Sequence, residues 1–170
     1  MKEIATSELK DNVFEAIGKE WMLVTAGKPE KFNMMTASWG GIGVLWGKPV
    51  AFVFIRPERY TFQFVEQGDM LTLSFLGEEH KDVHKVCGSK SGRDTDKVAS
   101  AGLKPVFTPH GNVAYEQARL TLECRKLYAD MIRPEQFVDR QALARWYGES
   151  HGGYHKMYVV EIMHAWVNEK

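Results

Sequence analysis

Residues 33–41 combine short polar side chains with one large aromatic ring. The run reads Asn-Met-Met-Thr-Ala-Ser-Trp-Gly-Gly, so Trp39 follows the hydroxyl groups of Thr36 and Ser38. Hydroxyl groups and free backbone N–H groups are the donors that a phosphate or the polar edge of a heterocycle requires. Taken alone, the segment fits an ordinary turn after a strand equally well, with Trp39 packed in the core.

Arg56 stands at the end of an apolar run, just before a predicted helix. Pro57 suits the first turn of that helix, and Tyr60 and Phe64 share one face at four-residue spacing. Helix N-termini attract anions, and a guanidinium group suits a phosphate. Arg56, Tyr60 and Thr61 are therefore a second candidate for contact with an anionic ligand, the alternative being a solvent-exposed arginine.

Residues 87–97 concentrate glycines, serines and cations in the run Cys-Gly-Ser-Lys-Ser-Gly-Arg-Asp-Thr-Asp-Lys. Glycine lets a backbone approach a ligand closely, and Ser89, Arg93 and Lys97 supply donors. Asp94 is placed to cap a following short helix. A solvated loop is the open alternative, because surface loops of this composition are common.

Histidines raise the question of a metal site. His80, His84 and Cys87 follow one another at i, i+4 and i+7, and on a helix they share a face. His151 and His155 are also four residues apart. A zinc site usually needs four ligands with an outer shell, and no carboxylate pattern completes either group. We therefore expect no metal, place His80 and His84 on a helix surface, and keep His155 as a residue over a ligand.

Composition and missing motifs exclude several functional classes. The 22 basic and 22 acidic residues cancel, which gives no bulk electrostatic reason to expect nucleic acid or an acidic membrane as partner. The longest apolar run, Val50–Ile55, is far shorter than the roughly 20 residues that span a bilayer. The sequence contains no GxGxxG, GxxxxGK[ST] or GxSxG motif.

The N-terminus and the cysteines indicate a cytoplasmic protein. Residues 1–8 lack the apolar run of a signal peptide. Cys87 and Cys124 form no CxxC pair and fit a reducing compartment, where a structural disulfide is not expected.

Apolar patterns supply the elements that must position these residues. Short β-prone runs predict strands at Trp21–Thr25, Pro49–Arg56 and Met70–Leu76. The run Pro49–Arg56 is continuously apolar, which predicts a strand buried on both faces. Alternation with a period of two predicts half-buried antiparallel strands at Val113–Ala129 and Lys156–Val167. In the latter, Tyr158, Ile162 and His164 share one face. Helices are predicted from Arg56 to Gly68 and over 78–86, 94–101 and 139–147, with a loop at 87–92.

These elements predict one domain over residues 1–170, mainly β with inserted helices. Strands of this kind must pair or close their edges, so a small antiparallel barrel is the expected architecture. A parallel doubly wound sheet would require regular alternation of strands and helices, which this chain lacks.

The three polar segments together resemble those of one family. Residues 33–39, 56–61 and 91–97 are similar, in order and spacing, to the flavin reductase-like proteins of the FMN-binding split-barrel group, nearest to the flavoredoxin-like branch. The resemblance covers about residues 20–125 and is weak over 130–155. It implies a six-stranded split barrel that works as a homodimer, with FMN near the subunit interface.

The resemblance also implies which residues hold FMN. The first segment would line the flavin and its phosphate tail, the second would meet the ring edge, ribityl chain or phosphate, and the third would close over the phosphate end. The implied cofactor-binding residues are Met35, Thr36, Ala37, Ser38, Trp39, Arg56, Tyr60, Thr61, Ser89, Arg93 and Lys97.

We therefore expect an FMN-dependent oxidoreductase. It would pass electrons from NADH or NADPH, or from a redox protein, to an acceptor that the sequence does not identify. Because the cofactor carries the redox chemistry, no catalytic residue is named. A non-catalytic flavin carrier or sensor of the same fold is the alternative, and a metal-binding protein using His80, His84 and Cys87 is a third reading.

Overall fold

A computed structural model describes residues 1–168, and its framework is a set of ten strands. No helix within these residues is long and apolar enough to cross a membrane. The strands are β1 (Lys2–Ile4), β2 (Met22–Lys28), β3 (Lys31–Ala37), β4 (Gly40–Leu45), β5 (Lys48–Ile55), β6 (Met70–Phe75), β7 (Pro105–Phe107), β8 (Val113–Tyr115), β9 (Leu120–Met131) and β10 (Lys156–Val167).

Short helices connect these strands, namely α1 (Val13–Glu15), α2 (Tyr60–Gln67), α3 (Lys81–Ser89), α4 (Lys97–Ser100) and α5 (Arg140–Tyr147). The cap of α4 is Asp96, whose side chain accepts a hydrogen bond from the backbone N–H of Ala99. The expectation that Asp94 caps this helix is wrong, because Asp94 lies in the preceding turn, where its own N–H donates to the carbonyl of Ser91.

Seven strands follow one path in the order β3-β2-β6-β9-β10-β5-β4, and β1 pairs with β10. The strands β3 and β4 end this path on opposite sides, yet only Ser38 and Trp39 separate them in the chain. Consecutive Cα atoms are about 3.8 Å apart, so Ala37 and Gly40 cannot be more than about 11 Å apart. The sheet must therefore roll up until its edges nearly meet, which produces a barrel split between β3 and β4.

This architecture confirms the predicted fold, which is mainly β with inserted helices. The sheet has eight strands, more than the six that the resemblance implies. One reason is the length of β10, which pairs with β5 along Lys156–Glu161 and still has Ala165–Val167 free to pair with β1.

The region predicted as one half-buried strand over Val113–Ala129 is two strands, β8 and β9, joined by a turn. Thr121 and Glu123, which the alternation places on the face opposite Leu122 and Cys124, are also fully buried. The prediction is wrong here because the turn between β7 and β8 covers that face, where Thr108 and Asn112 bond to Glu123.

The alternation predicted for β10 is interrupted. Tyr158 and Ile162 are buried as expected, but the pairing of β10 with β9 shifts register between Ile162 and His164. Ala165 then occupies the core in place of His164, which is partly exposed. A bulge of this kind reverses which residues face inward, and a strict period of two cannot anticipate it.

Two buried clusters hold the fold together. The larger fills the barrel, and the smaller lies outside it, where α3 packs on β2 and β3. Cys87 and His84 belong to that contact and are 0% and 1% exposed. The predicted surface position of His84 is therefore wrong, since α3 turns this face toward β3. The predicted loop begins at Lys90 and not at Cys87, because α3 continues to Ser89. Cys87 and Cys124 are both free thiols.

Candidate functional site

The two residues that join β3 to β4 lie at the gap of the split barrel. Ser38 and Trp39 are both exposed, and Gly40 follows them at the start of β4. Gly40 has a φ of 152°, and a Cβ there would lie 2.7 Å from the carbonyl oxygen of Phe52. Glycine therefore allows β4 to approach β5 closely at the point where Trp39 leaves the barrel.

A cavity of about 200 Å³ opens beside this crossing, and we name it the edge cavity. Six of the residues predicted from the sequence line it, and three others complete it. The lining residues are Met35, Thr36, Ala37, Ser38, Trp39, Phe54, Arg56, Arg59 and His155. The polar segment is therefore the end of a strand followed by a crossing that lines a cavity, and not an ordinary turn.

Arg59 gives the edge cavity a second guanidinium group beside that of Arg56. It precedes α2 as the N-cap residue, and its Nη2 donates to the carbonyl of Cys87 at 3.3 Å. Burial lowers the pKa of Arg59 from its usual value, but an arginine side chain stays charged. Two positive charges at one cavity favour an anionic ligand.

Thr36 connects the edge cavity to α3 through His84. Its hydroxyl donates to the backbone carbonyl of His84 at 2.9 Å and lies 3.1 Å from Nδ1 of the same residue. Because the hydroxyl has one proton, Nδ1–H is the donor in the second contact. Nε2 is then a bare acceptor, and it has no hydrogen-bond partner within residues 1–168. Burial lowers the pKa of His84 to about 4, so the ring is neutral at neutral pH.

Gly92 brings the third polar segment against the first two. A Cβ at this position would collide with the Oδ1 atom of Asn33 and would lie 2.9 Å from a ring carbon of Tyr60. The backbone of the loop can therefore approach β3 and α2 only because residue 92 is glycine. The three segments that the sequence singles out meet at this point.

A second cavity of about 330 Å³ lies at this meeting point, and we name it the loop cavity. Tyr60 and Lys97, two more of the predicted residues, line it. Lys97 is buried, and its ammonium donates to the carbonyls of Met34 at 2.8 Å and Cys87 at 3.1 Å. Burial, reinforced by the nearby charge of Arg59, lowers the pKa of Lys97 to about 8.

The other predicted residues have different surroundings. Thr61 is buried and accepts a hydrogen bond from Nδ2 of Asn33 at 2.8 Å. The hydroxyl of Ser89 donates to the carbonyl of Lys85 at 2.6 Å within α3. Arg93 is exposed, with its guanidinium 4.9 Å from the ring centre of Tyr60. Thr61 and Ser89 thus support local structure, whereas Arg93 presents a charge beside Tyr60.

Residues 146–153, at the end of α5 and just after it, are hydrogen-bonded to the turn that follows β5. Arg56 donates to the carbonyls of His151, of Gly153 at 2.7 Å and of Trp146 at 3.2 Å. Glu58 accepts the backbone N–H of Gly153 at 2.6 Å. These bonds hold residues 146–153 beside the edge cavity, in the region where the family resemblance is weak.

Trp146 and His155 contact Trp39, and Tyr147 contacts His155. We name these four residues, Trp39, Trp146, Tyr147 and His155, the aromatic cover. The ring of Trp39 lies 5.0 Å from that of Trp146 and 5.3 Å from that of His155. The hydroxyl of Tyr147 lies 2.7 Å from Nδ1 of His155. Burial and the charge of Arg56 lower the pKa of His155 to about 4, so its ring is neutral at neutral pH. His155 lines the edge cavity, and its role over a ligand stays a prediction.

Sequence reasoning missed Phe54, Arg59 and Trp146. The β5 run was predicted to be buried on both faces, but Val53 and Ile55 are fully buried while Phe54 is only partly so and faces the edge cavity. Arg59 carried a usable signal, since it lies in the first turn of the predicted helix; α2 begins later than predicted, at Tyr60, and Arg59 is its N-cap. Trp146 carried none, because its contact with Trp39 joins residues more than a hundred positions apart.

The third reading, a metal site at His80, His84 and Cys87, receives no support. Within residues 1–168, the only group of three potential ligands in mutual reach is formed by other residues. Burial also raises the pKa of the Cys87 thiol to about 11, which disfavours the thiolate that a metal requires.

The geometry above can be compared with known proteins. A family model described as flavin reductase like domain matches residues 14–170. The chain belongs to this family. The resemblance carried by the three polar segments is thereby confirmed, and it extends over the region 130–155. A search of curated proteins found no match.

Solved structures of the same fold are similar over most of this flavin reductase-like chain. An FMN-binding domain of a flavin reductases-like enzyme from Shewanella baltica has a TM-score of 0.69 at 15% identity, covering 98% of this chain and 76% of that one. Flavoredoxin from Methanosarcina acetivorans has a TM-score of 0.66 at 20% identity, covering 98% of this chain and 77% of that one. An NADH:FAD oxidoreductase from Streptomyces globisporus, in complex with NAD and FAD fragments, has a TM-score of 0.63 at 16% identity, covering 88% of this chain and 74% of that one. At these identities the likeness shows the fold.

Proposed function

We propose that this chain binds FMN at the edge cavity and passes electrons from NADH or NADPH, or from a redox protein, to an acceptor. The observation that carries the proposal is the edge cavity itself, which gathers Met35–Trp39 with the guanidinium groups of Arg56 and Arg59. Membership in the flavin reductase-like family supports it, as do the names of the similar structures, which include an FMN-binding domain and an NADH:FAD oxidoreductase.

The residues present fit the chemical parts of FMN. An isoalloxazine has large apolar faces, which Trp39, Phe54 and the neutral ring of His155 can cover. Its pyrimidine edge needs donors and acceptors, and β3 is a terminal strand whose outer backbone edge is open to a ligand. The phosphate needs cations and short donors, which Arg59, Arg93 and Ser38 offer.

Bound FMN would accept a hydride or an electron pair and release electrons to an acceptor. The work left to the chain is to bind, to orient and to exclude water. Reduced flavin carries negative charge near N1, so the positive charge of Arg56 at the cavity would favour the reduced form. The aromatic cover borders the cavity on the side of Trp146, where it would limit the access of water to a bound flavin.

The edge cavity is smaller than the roughly 300–1,000 Å³ of a typical small-molecule site. A molecule as large as FMN must therefore extend beyond it, and a second subunit would provide further lining. Val44 and Trp46 at the β4–β5 hairpin are 78% and 59% exposed, and Trp46 contacts Tyr128, whose ring centre is 6.2 Å away. We include in the proposal a homodimer that buries this apolar face.

Sedimentation equilibrium tests the dimer. Trp46→Glu places a charge in the proposed interface, and the protein should sediment as a monomer, whereas Phe107→Glu, at an exposed aromatic residue of the separate β7–β8 sheet, should leave the dimer intact. A wild-type protein that is monomeric at all concentrations, with or without FMN, would remove this part of the proposal.

A visible spectrum of the purified protein and a titration with FMN test the cofactor. We expect flavin absorption at about 450 nm and an affinity in the micromolar range or tighter. A colourless protein that also fails to bind added FMN would refute the proposal.

Anaerobic mixing of the FMN-loaded protein with NADH and with NADPH tests the electron donor. Loss of the absorption at about 450 nm with either nucleotide supports the oxidoreductase. Persistence of the colour with both nucleotides and with a reduced ferredoxin or flavodoxin would favour the alternative, a non-catalytic carrier or sensor of the same fold.

A further inference from the structure

Three potential metal ligands meet at the end of the barrel where β1 pairs with β10. His110 comes from the turn between β7 and β8, Glu123 from β9, and His164 from β10. Each offers one ligand atom, and these atoms all lie within 4.8 Å of one another. Two imidazoles and one carboxylate form a ligand set that proteins use for zinc and other divalent first-row metals.

The carboxylate of Glu123 is a buried charge held in a fixed orientation. The residue is 0% exposed, and its Oε1 accepts from Thr108 at 2.6 Å and from Asn112 at 2.5 Å. Its Oε2 accepts from Nε1 of Trp166 at 3.1 Å. All three donors are uncharged, so they orient the carboxylate without neutralising it. Burying an unpaired charge is costly, and a cation beside Oε2 would remove that cost.

His164 is oriented by a second carboxylate. Its Nδ1 lies 2.6 Å from Oε1 of Glu3 on β1. A carboxylate accepts hydrogen bonds, so Nδ1 carries a proton, and Nε2 is the nitrogen that can offer its lone pair to a metal. A histidine that donates one N–H to a carboxylate and presents the other nitrogen is the usual arrangement of a metal ligand, because the carboxylate fixes the ring and makes it more basic.

His110 completes the cluster from the solvent side. Its ring stacks on that of His164, with centroids 4.1 Å apart and planes 15° apart. Two stacked imidazolium rings would repel each other, whereas two neutral rings can share one cation. His110 is exposed, so an ion can enter from solvent and retain water at a remaining coordination position.

We propose that His110, Glu123 and His164 bind one divalent transition-metal ion, with zinc as its representative, and that Glu3 positions His164. The ion would join the β7–β8 turn to β9 and β10, and through Glu3 it would secure the N-terminal strand β1. His164 is nine residues along the chain from His155 at the edge cavity, which corresponds to about 30 Å of strand. The site is therefore structural and independent of flavin binding.

Calorimetric titration of the untagged, chelator-treated full-length protein with zinc sulfate tests the site. We expect one ion per chain with a dissociation constant in the micromolar range or tighter. Replacing an exposed ligand, His110→Ala, should weaken binding at least about tenfold, and Glu3→Gln about 10- to 100-fold. His80→Ala, a histidine outside the cluster, should bind zinc like the wild type.

Cobalt gives an independent readout, because Co²⁺ bound by nitrogen and oxygen ligands absorbs visible light according to its coordination. We expect a cobalt spectrum in the wild type that is lost in His110→Ala, and a rise in melting temperature with zinc that is also lost in this variant. Failure of the wild type to bind zinc, or zinc binding that His110→Ala and His164→Ala leave unchanged, would overturn the proposal.

Discussion

The ammonium of Lys97 donates a hydrogen bond to the carbonyl oxygen of Met34 at 2.8 Å, and thereby joins helix α4 to the edge strand β3. A second bond, to the carbonyl of Cys87, ties the same group to α3. The family resemblance implies that Lys97 closes over the phosphate together with Ser89 and Arg93. The geometry gives Lys97 a structural task, and this changes what its replacement should do.

Lys97→Met should lower the free energy of unfolding by about 1–3 kcal/mol, because two buried carbonyls lose a charged donor. Urea denaturation followed by circular dichroism measures the loss, and the exposed Lys90→Met provides the control. If Lys97→Met instead leaves stability unchanged and weakens only FMN binding, the ammonium serves the ligand and not the fold.

Arg59→Ala should weaken FMN binding by about 1.5–3 kcal/mol, since a charge-assisted hydrogen bond to phosphate would be lost. Riboflavin has no phosphate, so its affinity should change little. Fluorescence titration with both flavins measures the difference, with Lys90→Ala as the exposed cation that should affect neither.

Arg93→Ala tests whether a second cation shares the phosphate. Arg93 is exposed beside Tyr60, so its removal should not disturb the fold. We expect the free energy of FMN binding to weaken by about 1–3 kcal/mol, with little change for riboflavin. Equal losses of FMN and riboflavin in both arginine variants would contradict a phosphate role and would point to contact with the ring.

Trp146→Ala should accelerate the release of FMN. The edge-to-face contact with Trp39 contributes about 0.5–1.5 kcal/mol, which corresponds to a roughly 2- to 13-fold faster dissociation if this contact must break for the flavin to leave. Stopped-flow displacement of FMN measures the rate, and Phe107→Ala, at an exposed aromatic residue of the separate β7–β8 sheet, should match the wild type. An unchanged rate would show that the aromatic cover does not control exit.

The polar segments were predictable from sequence because their residue types are unusual for a strand or a loop. Thr36, Ser38 and Trp39 stand together in the chain, so their proximity needed no knowledge of the fold. The position of β3 and β4 at opposite edges of the sheet was not predictable in this way. It is visible only once the strand order is known, and it is this order that opens a cavity beside Ser38 and Trp39.

Residues whose roles depend on distant partners escaped the sequence analysis. The sequence pattern predicts His84 on the surface of a helix, yet in α3 its side chain packs against Thr36 on β3. Glu123 occupies a position that alternation assigns to solvent, yet the β7–β8 turn covers it. In both cases a polar residue is buried by an element remote in sequence, and local periodicity contains no signal for that event.

The buried ring of His84 should make the free energy of unfolding depend on pH. Its pKa is about 4 in the folded protein and about 6.5 in an unfolded chain, so the unfolded state binds more protons between these values. Stability from this residue is complete above pH 6.5 and is lost as the pH falls toward 4. At pH 5 the loss relative to pH 7 should be about 2 kcal/mol.

His84→Asn removes the titrating ring while an amide can still donate to Thr36. Its free energy of unfolding, although lower at pH 7, should therefore fall less steeply than that of the wild type between pH 7 and pH 5. The partly exposed His80→Asn should retain the wild-type slope. Urea denaturation at each pH measures both slopes. If the slope of His84→Asn equals that of the wild type, the ring takes up its proton at the same pH in the folded and unfolded chains, and a buried ring that stays neutral with a bare Nε2 is refuted.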